Sequence, residues 1–359
     1  MKRPKILFLC KRYYTNKDLM EDRYGRMYQL PKELANRGYQ VTVVALDYNN
    51  QSEAEFKIPN AHFISIPSKT GGLNLFSGKH RTTIENISPD IIVGSANSNI
   101  GMIAYILSKK LQAIFVFDAY DYYPAFPSKF KLLNQFLFNF CTKYSDLNSV
   151  VSETLRQKIR SNKTIILENG VNLDVFKFAD KCEARKELNI APETKVVGYF
   201  GSIESRSGLD LLIEATLIAQ ETYPSIVLLV AGQSDGSIPL DNPMINYRGP
   251  VPHTKVAQYI SASDVVVIPY PLQAQNNYTN SCKIAEYLAC QVPIVATDIS
   301  DYKRHFSNPE NVFCTPGDVN ELAAKIIAQL NHPHVNTFPM ELSWQSLGEK
   351  FEASLHPFI

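Results

Sequence analysis

The sequence predicts an α/β protein built from two doubly wound domains in tandem. Short apolar runs rich in β-branched residues alternate with helical patterns along the whole chain, which favours parallel sheets covered by helices. The length of 359 residues suits about two domains. The series of strands and helices also starts afresh at residue 195, after a polar, turn-rich stretch at residues 168–190.

The individual elements follow from these patterns. Between the first two strands, Met27, Leu30 and Leu34 fall at helical spacing, and Gly38 ends that helix. The second series has a similar helix through residues 211–218. The predicted strands are residues 5–10, 41–46, 62–66, 91–93 and 113–117, then 196–200, 226–231, 265–268 and 293–297.

The predicted domains are residues 1–175 and 176–341, followed by a C-terminal helix within residues 342–359. Trp344, Leu347 and Phe351 stand at helical spacing there. Two interpretations are open: the helix packs on its own domain, or it crosses back to the first domain. We adopt the second interpretation.

Charge and composition exclude several classes of protein. The formal net charge of +1 hides a basic half (+8 for residues 1–175) and an acidic half (−7 for the rest). No recognised motif supports nucleic-acid binding by the basic half. The six cysteines form no CxxC pair or zinc-like cluster, so we expect no disulfide, no metal and a cytoplasmic location. No run approaches the about 20 apolar residues of a spanning helix, so membrane contact should be peripheral.

A ligand site is expected in a cleft where the strands of the two domains end, as in other open α/β sheets. The loops at residues 10–26 and 201–208 both follow a strand and precede a helix. Neither is GxGxxG or a P-loop, which disfavours NAD binding and NTP hydrolysis. The second loop is either a phosphate-binding loop or a tight turn.

The segment at residues 276–298 is the most informative. Ser281, Cys282 and Lys283 are predicted in the first turn of a helix, where N–H donors and an ammonium group would bind an anion. Glu286 follows three residues after the lysine. The alternative is an ordinary surface ion pair between Lys283 and Glu286.

Several motifs, in the same order, resemble glycosyltransferase family 4, a group of GT-B enzymes that use nucleotide sugars. The pattern KxxEYxAxxxPIVAT of residues 283–297 resembles the donor-binding segment of that family. The resemblance implies the GT-B fold, in which two Rossmann-like domains face a central cleft. The other matching segments are residues 117–124, 144–155, 168–176, 201–208 and 263–269.

The resemblance also implies roles on the donor side. Lys283 would neutralise the diphosphate, Glu286 would bind the ribose hydroxyls, and the main chain from Arg248 to Val251 would meet the base. Leaving-group stabilisation in GT-B enzymes needs no metal held by Asp-x-Asp, and this chain has no Asp-x-Asp. The predicted donor-binding residues are Gly201, Ser202, Arg206, Arg248, Val251, Tyr278, Ser281, Lys283 and Glu286.

The chain departs from the family pattern at three positions. Ser202 and Ser207 replace the usual Arg and Lys of the phosphate loop, and Tyr278 stands where the family has a first glutamate. Arg206 either reaches the phosphates instead or is a solvated loop arginine. Because this glutamate is replaced, the resemblance does not indicate which sugar the donor carries.

Asp121 is the predicted catalytic residue, because it follows an apolar strand and should lie at the cleft edge. It would act as a base in an inverting reaction or orient the substrates in a retaining one; the alternative is a carboxylate that caps the next turn. Asp118 ends the strand and is predicted to be structural. His253 has no nucleophile or metal partner nearby in sequence and is expected to be structural or exposed.

The acceptor side carries a basic and an aromatic group of residues. The predicted acceptor-binding residues near the first loop are Arg12, Arg23, Gly25 and Arg26. The aromatic-rich residues 130–140, flanked by lysines, are either a core helix or a face that rests on anionic lipid. A phosphate-bearing acceptor would account for both groups.

The sequence therefore predicts a glycosyltransferase that moves a sugar from a UDP- or GDP-linked donor to a glycan or polyprenyl-linked acceptor in surface polysaccharide or glycolipid assembly. Retention of configuration is what family membership implies, and no further cofactor is expected. The predicted location is cytoplasmic, at an anionic inner membrane face. The alternatives are an inverting GT-B enzyme of glucuronosyltransferase type and an inactive nucleotide-sugar-binding partner.

Overall fold

The structure is a computed structural model that describes residues 3–14, 17–49, 51–69, 71–159 and 161–359. The chain divides into two compact units. The first unit comprises Met1–Gly170, Tyr278–Asn280 and Trp344–Ile359, and the second comprises Val171–Asn277 and Ser281–Ser343.

Within its described residues, the first unit contains an eight-stranded sheet in the order β10-β9-β8-β7-β1-β4-β6-β5, and β2 and β3 form a small antiparallel pair. The strands are β1 (Lys5–Lys11), β2 (Tyr13–Tyr14), β3 (Lys17–Asp18), β4 (Gln40–Asp47), β5 (Ala54–Ile58), β6 (Ala61–Pro67), β7 (Ile91–Ser95), β8 (Ile114–Ala119), β9 (Leu147–Val150) and β10 (Thr164–Ile166).

The five strands predicted in this region are all present and parallel. β1 is a continuous apolar run because it lies at the centre of the sheet with both faces covered. Three sheet strands were missed, namely β5, β9 and β10. β5 also breaks the parallel pattern: the two-residue turn at Pro59 and Asn60 allows only an antiparallel hairpin with β6.

The helices of the first unit cover this sheet. Asn97 caps α4 by accepting a hydrogen bond from the Ile100 N–H at 3.1 Å. Gly94 of β7 lets α4 approach closely, because a Cβ there would lie 2.7 Å from that of Ala104. The helices are α1 (Leu19–Asp22), α2 (Arg26–Asn36), α3 (Gly78–Ile87), α4 (Ser98–Leu111), α5 (Lys131–Tyr144) and α6 (Glu153–Ile159).

The second unit contains a six-stranded parallel sheet among its described residues, in the order β13-β12-β11-β14-β15-β16. Buried apolar side chains cover both of its faces. The strands are β11 (Val196–Phe200), β12 (Val227–Ala231), β13 (Ile245–Tyr247), β14 (Val265–Ile268), β15 (Ile294–Thr297) and β16 (Phe313–Cys314). The helices are α7 (Lys181–Leu188), α8 (Leu209–Gln220), α9 (His253–Ala262), α10 (Cys282–Ala289) and α11 (Val319–Asn331).

The C-terminal helix α12 (Trp344–Leu355) belongs to the first unit, which confirms the interpretation that it crosses back. Its Phe351 ring lies 6.5 Å from the ring of Phe8, and Arg37, which follows α2, donates to the Gln345 carbonyl at 2.8 Å. No helix in the described part of the chain is long and apolar enough to span a membrane. Short 3₁₀ turns are Leu73–Phe76, Tyr123–Ala125, Asn276–Tyr278, Tyr302–His305, Pro309–Asn311, Met340–Leu342 and His356–Phe358.

Each sheet has a point where the strand order reverses. In the first unit, β1 lies between β4 and β7, and in the second, β11 lies between β12 and β14. The loops at the carboxyl ends of these neighbouring strands diverge and leave a crevice, which is where open α/β sheets bind ligands. The fold therefore places one candidate site in each unit.

Candidate functional site

The crevice of the second unit begins where β11 ends. Gly201 follows that strand with φ +149°, and a Cβ at this position would lie 2.5 Å from Cε and 2.8 Å from Nζ of Lys283. A glycine is therefore required here, because any side chain would displace the lysine. The predicted donor residues Gly201 and Lys283 come together although 82 positions separate them in the sequence.

The environment of the Lys283 ammonium is aromatic rather than acidic. Its Nζ donates a hydrogen bond to the Tyr199 hydroxyl at 3.1 Å and lies 4.2 Å from the centre of that ring and 5.0 Å from that of Tyr270. No carboxylate oxygen in the described ranges lies within 4 Å of it. Lys283 is nevertheless only 8% exposed.

Burial acts to lower the pKa of Lys283, but the surrounding tyrosine hydroxyls outweigh it and the pKa lies above its usual value. The group is therefore a cation at neutral pH. Cation–π contacts and one hydrogen bond to a tyrosine hydroxyl offset the cost of burial, but none of these neighbours is a carboxylate. A buried cation without a counter-ion is a ready binding site for an anion.

The start of α10 adds N–H donors at the same place. Ser281 caps the helix, and its Oγ accepts from the Lys283 N–H at 3.4 Å. The Ser281 N–H donates in turn to the Tyr302 hydroxyl at 3.0 Å. The helix N-terminus thus presents the positive end of its dipole beside the ammonium group.

Glu286 lies one turn further along α10 and is also only 8% exposed. Its Oε1 is 2.9 Å from Nε2 of His253, whose ring packs 4.9 Å from that of Phe176. The alternative of a surface Lys283–Glu286 ion pair is therefore wrong, because both side chains are buried and have different neighbours. His253 is a neighbour that sequence spacing could not reveal.

The loop at residues 201–208 is a compact turn. The Ser202 carbonyl accepts from the Tyr199 hydroxyl at 2.8 Å. Ser207 is buried, and its Oγ accepts from the Leu209 N–H at 3.3 Å. Arg206 is partly exposed and pairs with Glu204 at 2.8 Å, so an acidic neighbour already holds this arginine.

The residues predicted to meet the base follow β13. Arg248 donates from Nη2 to the Leu188 carbonyl at 2.9 Å, while its buried Nε has no partner among the described residues. Val251 is half-buried against the apolar core. The Gly249 carbonyl accepts from the Gly232 N–H at 2.9 Å, which connects this loop to the end of β12.

Tyr278 belongs to the first unit and not to the unit that contains the other predicted donor residues. Its ring lies 4.9 Å from that of Tyr122, and its carbonyl accepts from the Ser152 hydroxyl at 3.2 Å. Its ring therefore packs within the first unit, and its role in donor binding stays a prediction.

The prediction that Arg26 contacts an acceptor is also corrected. Its side chain is fully buried at the start of α2 and forms a bidentate pair with Asp118, with contacts of 2.6 and 2.9 Å. The same guanidinium donates to the carbonyls of Leu167 and Glu168 at 2.7 and 2.9 Å. Burial opposes ionisation of Asp118, but Arg26 holds its pKa below the usual value. The structural assignment of Asp118 agrees with these contacts.

Arg12 is likewise buried, and its guanidinium group is paired with carboxylates. It pairs with Asp18 at 2.7 Å and with Asp47 at 3.2 Å, so its predicted acceptor role is corrected to a structural one. Arg23 is exposed and lies 4.7 Å over the ring of Phe56. Gly25 is buried with φ +69° at the start of α2.

Asp121 lies half-buried just beyond the carboxyl end of β8. Its charge acts on Lys11 at the end of β1 and on Tyr123. Burial lowers the pKa of Lys11, and the charge of Asp121 opposes that shift. Burial and Asp121 both raise the pKa of Tyr123, whose hydroxyl donates to that of Tyr120 at 2.7 Å.

A cavity of about 330 Å³ opens at the reversal point of the first sheet. Its lining includes Lys11 from β1, Asn49 after β4, and Asn97 and Asn99 at the start of α4. Lys11 belongs to the ligand loop predicted at residues 10–26, whereas sequence reasoning assigned none of the three asparagines to a site. The only available signal was their position just after predicted strands.

The helix α5 exposes most of its large apolar side chains. Phe138 is buried, whereas Phe130 is 68% and Leu132 87% exposed. The core-helix interpretation is therefore wrong for this face. We call the exposed set the α5 face: Lys129, Phe130, Lys131, Leu132, Leu133, Phe136 and Lys143.

In the described ranges, no group of three or more His, Cys, Asp or Glu side chains is placed to hold a metal ion. The expectation of a metal-independent reaction stays a prediction.

Two family models match the chain. Residues 26–175 match the model described as Glycosyltransferase Family 4, and residues 194–332 match the model described as Glycosyl transferases group 1. Together the two matches cover most of the chain and meet near the boundary between the two units.

Curated relatives include the D-inositol 3-phosphate glycosyltransferase of Mycobacteroides abscessus, 29% identical over 150 residues, or 37% of this chain and 31% of the relative. The D-inositol 3-phosphate glycosyltransferase 2 of Catenulispora acidiphila is 26% identical over 186 residues, or 46% and 42% of the two chains. The matches thus span less than half the length of these relatives.

Solved structures resemble the whole chain. Sucrose-phosphate synthase from Thermosynechococcus elongatus has a TM-score of 0.75 at 18% identity, covering 99% of this chain and 95% of that one. HepE from Anabaena, in complex with UDP and glucose, has a TM-score of 0.73 at 18% identity, covering 99% and 100%. At these identities the likeness establishes the fold, which is GT-B as predicted.

Proposed function

Because the chain belongs to the family 4-like GT-B glycosyltransferases, we propose that it transfers a sugar from a nucleotide diphosphate sugar to a glycan or lipid-linked acceptor. The observation that carries the donor half of this proposal is the buried Lys283 ammonium, which has tyrosine neighbours and no acidic partner among the described residues.

In this proposal the diphosphate is the anion that Lys283 lacks. The ammonium group, the N-terminus of α10 and the backbone at Gly201 surround one position in the crevice of the second unit. As the bond to the sugar breaks, negative charge grows on the leaving oxygen. Preorganised positive groups then stabilise the transition state more than the bound donor.

Glu286 is proposed to bind the ribose hydroxyls. His253 occupies one carboxylate oxygen, Oε1, and orients the carboxylate. The second oxygen remains available as an acceptor for two adjacent hydroxyls. The backbone from Arg248 to Val251 is proposed to contact the base, which is the uracil of UDP or the guanine of GDP.

Asp121 is proposed to orient the acceptor hydroxyl. In a retaining reaction the bond from the anomeric carbon to the phosphate oxygen breaks and leaves its electron pair on that oxygen. The acceptor oxygen bonds to the same face of the carbon, and its proton passes to the leaving phosphate. Asp121 would then position the hydroxyl rather than take the proton permanently.

A donor screen tests this proposal. Purified protein is titrated with UDP- and GDP-sugars, and release of the nucleotide is measured with glycan and lipid-linked acceptors. We expect micromolar to millimolar binding of one donor class and sugar transfer from it. Binding of a donor with no cleavage under any condition would favour the inactive binding partner, and absence of binding would contradict the proposal.

The stereochemistry of the product separates the two enzymatic alternatives. A retaining enzyme yields the same anomeric configuration as the donor, and an inverting enzyme of glucuronosyltransferase type yields the opposite one. Asp121→Asn sharpens this test: it should abolish turnover if Asp121 acts as an inverting base and reduce it less if the residue only orients the acceptor.

We further propose that the α5 face rests on the anionic inner surface of the cell membrane, where a lipid-linked acceptor would be presented. Exposed phenylalanine and leucine side chains beside three lysines suit an anionic interface, to which each nearby lysine adds about 1 kcal/mol. Co-sedimentation with phosphatidylglycerol vesicles tests it. We expect binding that Leu132→Ser and Phe136→Ser weaken and that neutral phosphatidylcholine vesicles lack; equal binding by these variants would contradict the proposal.

A further inference from the structure

The anion position proposed beside Lys283 has fewer positive charges than a diphosphate has negative ones. Each phosphate of a nucleotide diphosphate sugar carries one negative charge, whereas the first turn of α10 supplies a single ammonium group. The loop at residues 201–208 adds one cation, Arg206, which already pairs with Glu204 at 2.8 Å. Neutral hydrogen-bond donors are therefore needed for the remaining phosphate oxygens, because a partly buried anion without partners is costly.

Tyrosine side chains surround the ammonium group, and three of them cannot serve as these donors. Tyr199, Tyr287 and Tyr302 are fully buried, so no ligand reaches their hydroxyls. The Tyr199 hydroxyl also uses its proton, which it donates to the Ser202 carbonyl at 2.8 Å. The hydroxyls of Tyr287 and Tyr302 accept from backbone N–H groups at 3.3 and 3.0 Å and thereby hold neighbouring segments in place.

Tyr270 differs from these three because it is half-buried, two residues beyond the end of β14. Its ring centre lies 5.0 Å from the Lys283 Nζ. Its hydroxyl oxygen lies 3.3 Å from the Oγ of Ser281, the residue that caps α10. Thr297 fixes the backbone by donating to the Tyr270 carbonyl at 2.7 Å. The hydroxyl is therefore held at the N-terminus of α10, next to the ammonium group.

The contact with Ser281 leaves Tyr270 a proton to donate. The Ser281 Oγ accepts from the Lys283 N–H at 3.4 Å, and its own proton can go to the Tyr270 oxygen. The phenolic O–H is then directed to a further acceptor. A phosphate oxygen is a much stronger acceptor than a serine hydroxyl at 3.3 Å, since hydrogen bonds to a charged oxygen are shorter and stronger than neutral ones.

We propose that Tyr270 is a diphosphate-binding residue, whose hydroxyl donates a hydrogen bond to a phosphate oxygen of the donor while Lys283 neutralises part of the charge. This inference rests on the proposed function and adds a neutral donor to that site. The hydroxyl keeps its proton throughout the reaction. Its hydrogen bond strengthens as negative charge grows on the leaving phosphate, so Tyr270 also assists the departure of the nucleotide.

Tyr270→Phe tests the hydroxyl alone, because the ring next to Lys283 is kept. The probe is inorganic pyrophosphate, which carries two phosphates without base or sugar, and binding is measured by calorimetry. Its affinity should fall about tenfold, the scale of one hydrogen bond to a charged group. The matched control is Tyr223→Phe, at a half-buried tyrosine of the same unit whose hydroxyl bonds Asn331. It should leave the affinity unchanged, and thermal unfolding checks the fold of each variant.

Salt dependence separates a direct hydrogen bond from an effect transmitted through Lys283. Binding is repeated at low and high potassium chloride concentration. Lys283→Met should flatten the salt dependence, because the screened ion pair is lost, whereas Tyr270→Phe should keep the slope of the unmodified protein. An unchanged pyrophosphate affinity or a flattened slope in Tyr270→Phe would overturn the proposal, as would weakening of equal size in Tyr223→Phe.

The two proposals fail separately. If pyrophosphate binding depends on Tyr270 and Lys283 but nucleotide sugars are neither bound nor cleaved, the proposed function is wrong and Tyr270 remains a ligand of an anion site. If a donor is cleaved and pyrophosphate binding is independent of Tyr270, the assignment of Tyr270 is wrong.

Discussion

Each unit buries a cation near the carboxyl end of its sheet, and the two cations have opposite surroundings. Arg26 of the first unit pairs with Asp118 and two backbone carbonyls. Lys283 of the second unit contacts tyrosine rings and one hydroxyl, with no acidic partner among the described residues. The two side chains are similarly buried, at 1% and 8% exposed.

The comparison shows that burial of a charge does not by itself identify a site. The Arg26 guanidinium is satisfied by the protein, so it holds the elements of the first unit together. The charge of Lys283 faces tyrosines and no carboxylate among the described residues, which suits the anion that we propose it binds. A compensated cation should therefore matter for stability, and an uncompensated one for ligand affinity.

The largest effect is expected from Arg26→Met, which leaves the buried Asp118 carboxylate with two serine hydroxyls and no cation. The free energy of unfolding should fall by about 3–5 kcal/mol, as measured by urea denaturation. The double variant Arg26→Met/Asp118→Asn should recover part of the loss. Arg23→Met, at an exposed arginine nearby, should stay within about 0.5 kcal/mol of the unmodified protein. Equal stability of the single variant would contradict the structural role of Arg26.

Lys283→Met should reduce activity strongly and stability little, which is the opposite of the expectation for Arg26→Met. Sugar transfer should fall by about 10²–10³-fold, while the free energy of unfolding should change much less than in Arg26→Met, because no buried carboxylate loses its cation. Steady-state kinetics and thermal unfolding are measured together. Lys255→Met, at an exposed lysine of α9, is the control and should leave both unchanged. A loss of several kcal/mol of stability would place Lys283 in the same class as Arg26.

Acid should destabilise the protein partly through Asp118. Its pKa is lowered in the folded state, so its contribution is fully present above the ordinary carboxyl pKa of about 3.9 and is lost as pH falls towards the lowered value. Between these two pKa values, one such group lowers the free energy of unfolding by up to about 1.4 kcal/mol for each pH unit of acidification.

Urea denaturation from pH 6 to pH 3 isolates this contribution. The unmodified protein should lose more stability below pH 4 than Arg26→Met/Asp118→Asn does, since the double variant lacks the group. Parallel curves would show that Asp118 has an ordinary pKa in the folded protein.

The smallest effect is expected at Glu286, which is proposed to bind the ribose and not the phosphates that take up the leaving-group charge. Glu286→Gln should weaken binding of the matching nucleoside diphosphate about tenfold, the scale of one charged hydrogen bond. The 2′-deoxynucleotide should show a smaller difference between the two proteins, because it keeps only the 3′-hydroxyl to donate a hydrogen bond to the carboxylate. An undiminished preference for ribose in the variant would remove Glu286 from the ribose site.

Much of the architecture could be predicted from local patterns. The central strands β1, β4, β7 and β11 are continuous apolar runs because both faces of a parallel sheet are buried. The edge strand β5 was missed, because half of its residues face solvent and its pattern is weak. The position of Gly201 on a loop after a strand, and of Lys283 in the first turn of a helix, also followed from sequence.

The neighbours of the charged side chains were not predictable in this way. Arg26 meets Asp118 across 92 positions, and Lys283 meets Tyr199 across 84. The sequence of α5 did not indicate which of its aromatic side chains are buried, since apolar side chains occur on most of its turns.

The sequence by itself determined the alternation of strands and helices, the family and the loops where a ligand site is expected, because periodicity and turn chemistry act over a few neighbouring residues. Only the tertiary structure decided that Arg12 and Arg26 are structural, that no carboxylate in the described part of the chain pairs with Lys283, and that Lys11 faces a cavity. Whether a charge is compensated depends on which distant side chains the fold brings within hydrogen-bond distance.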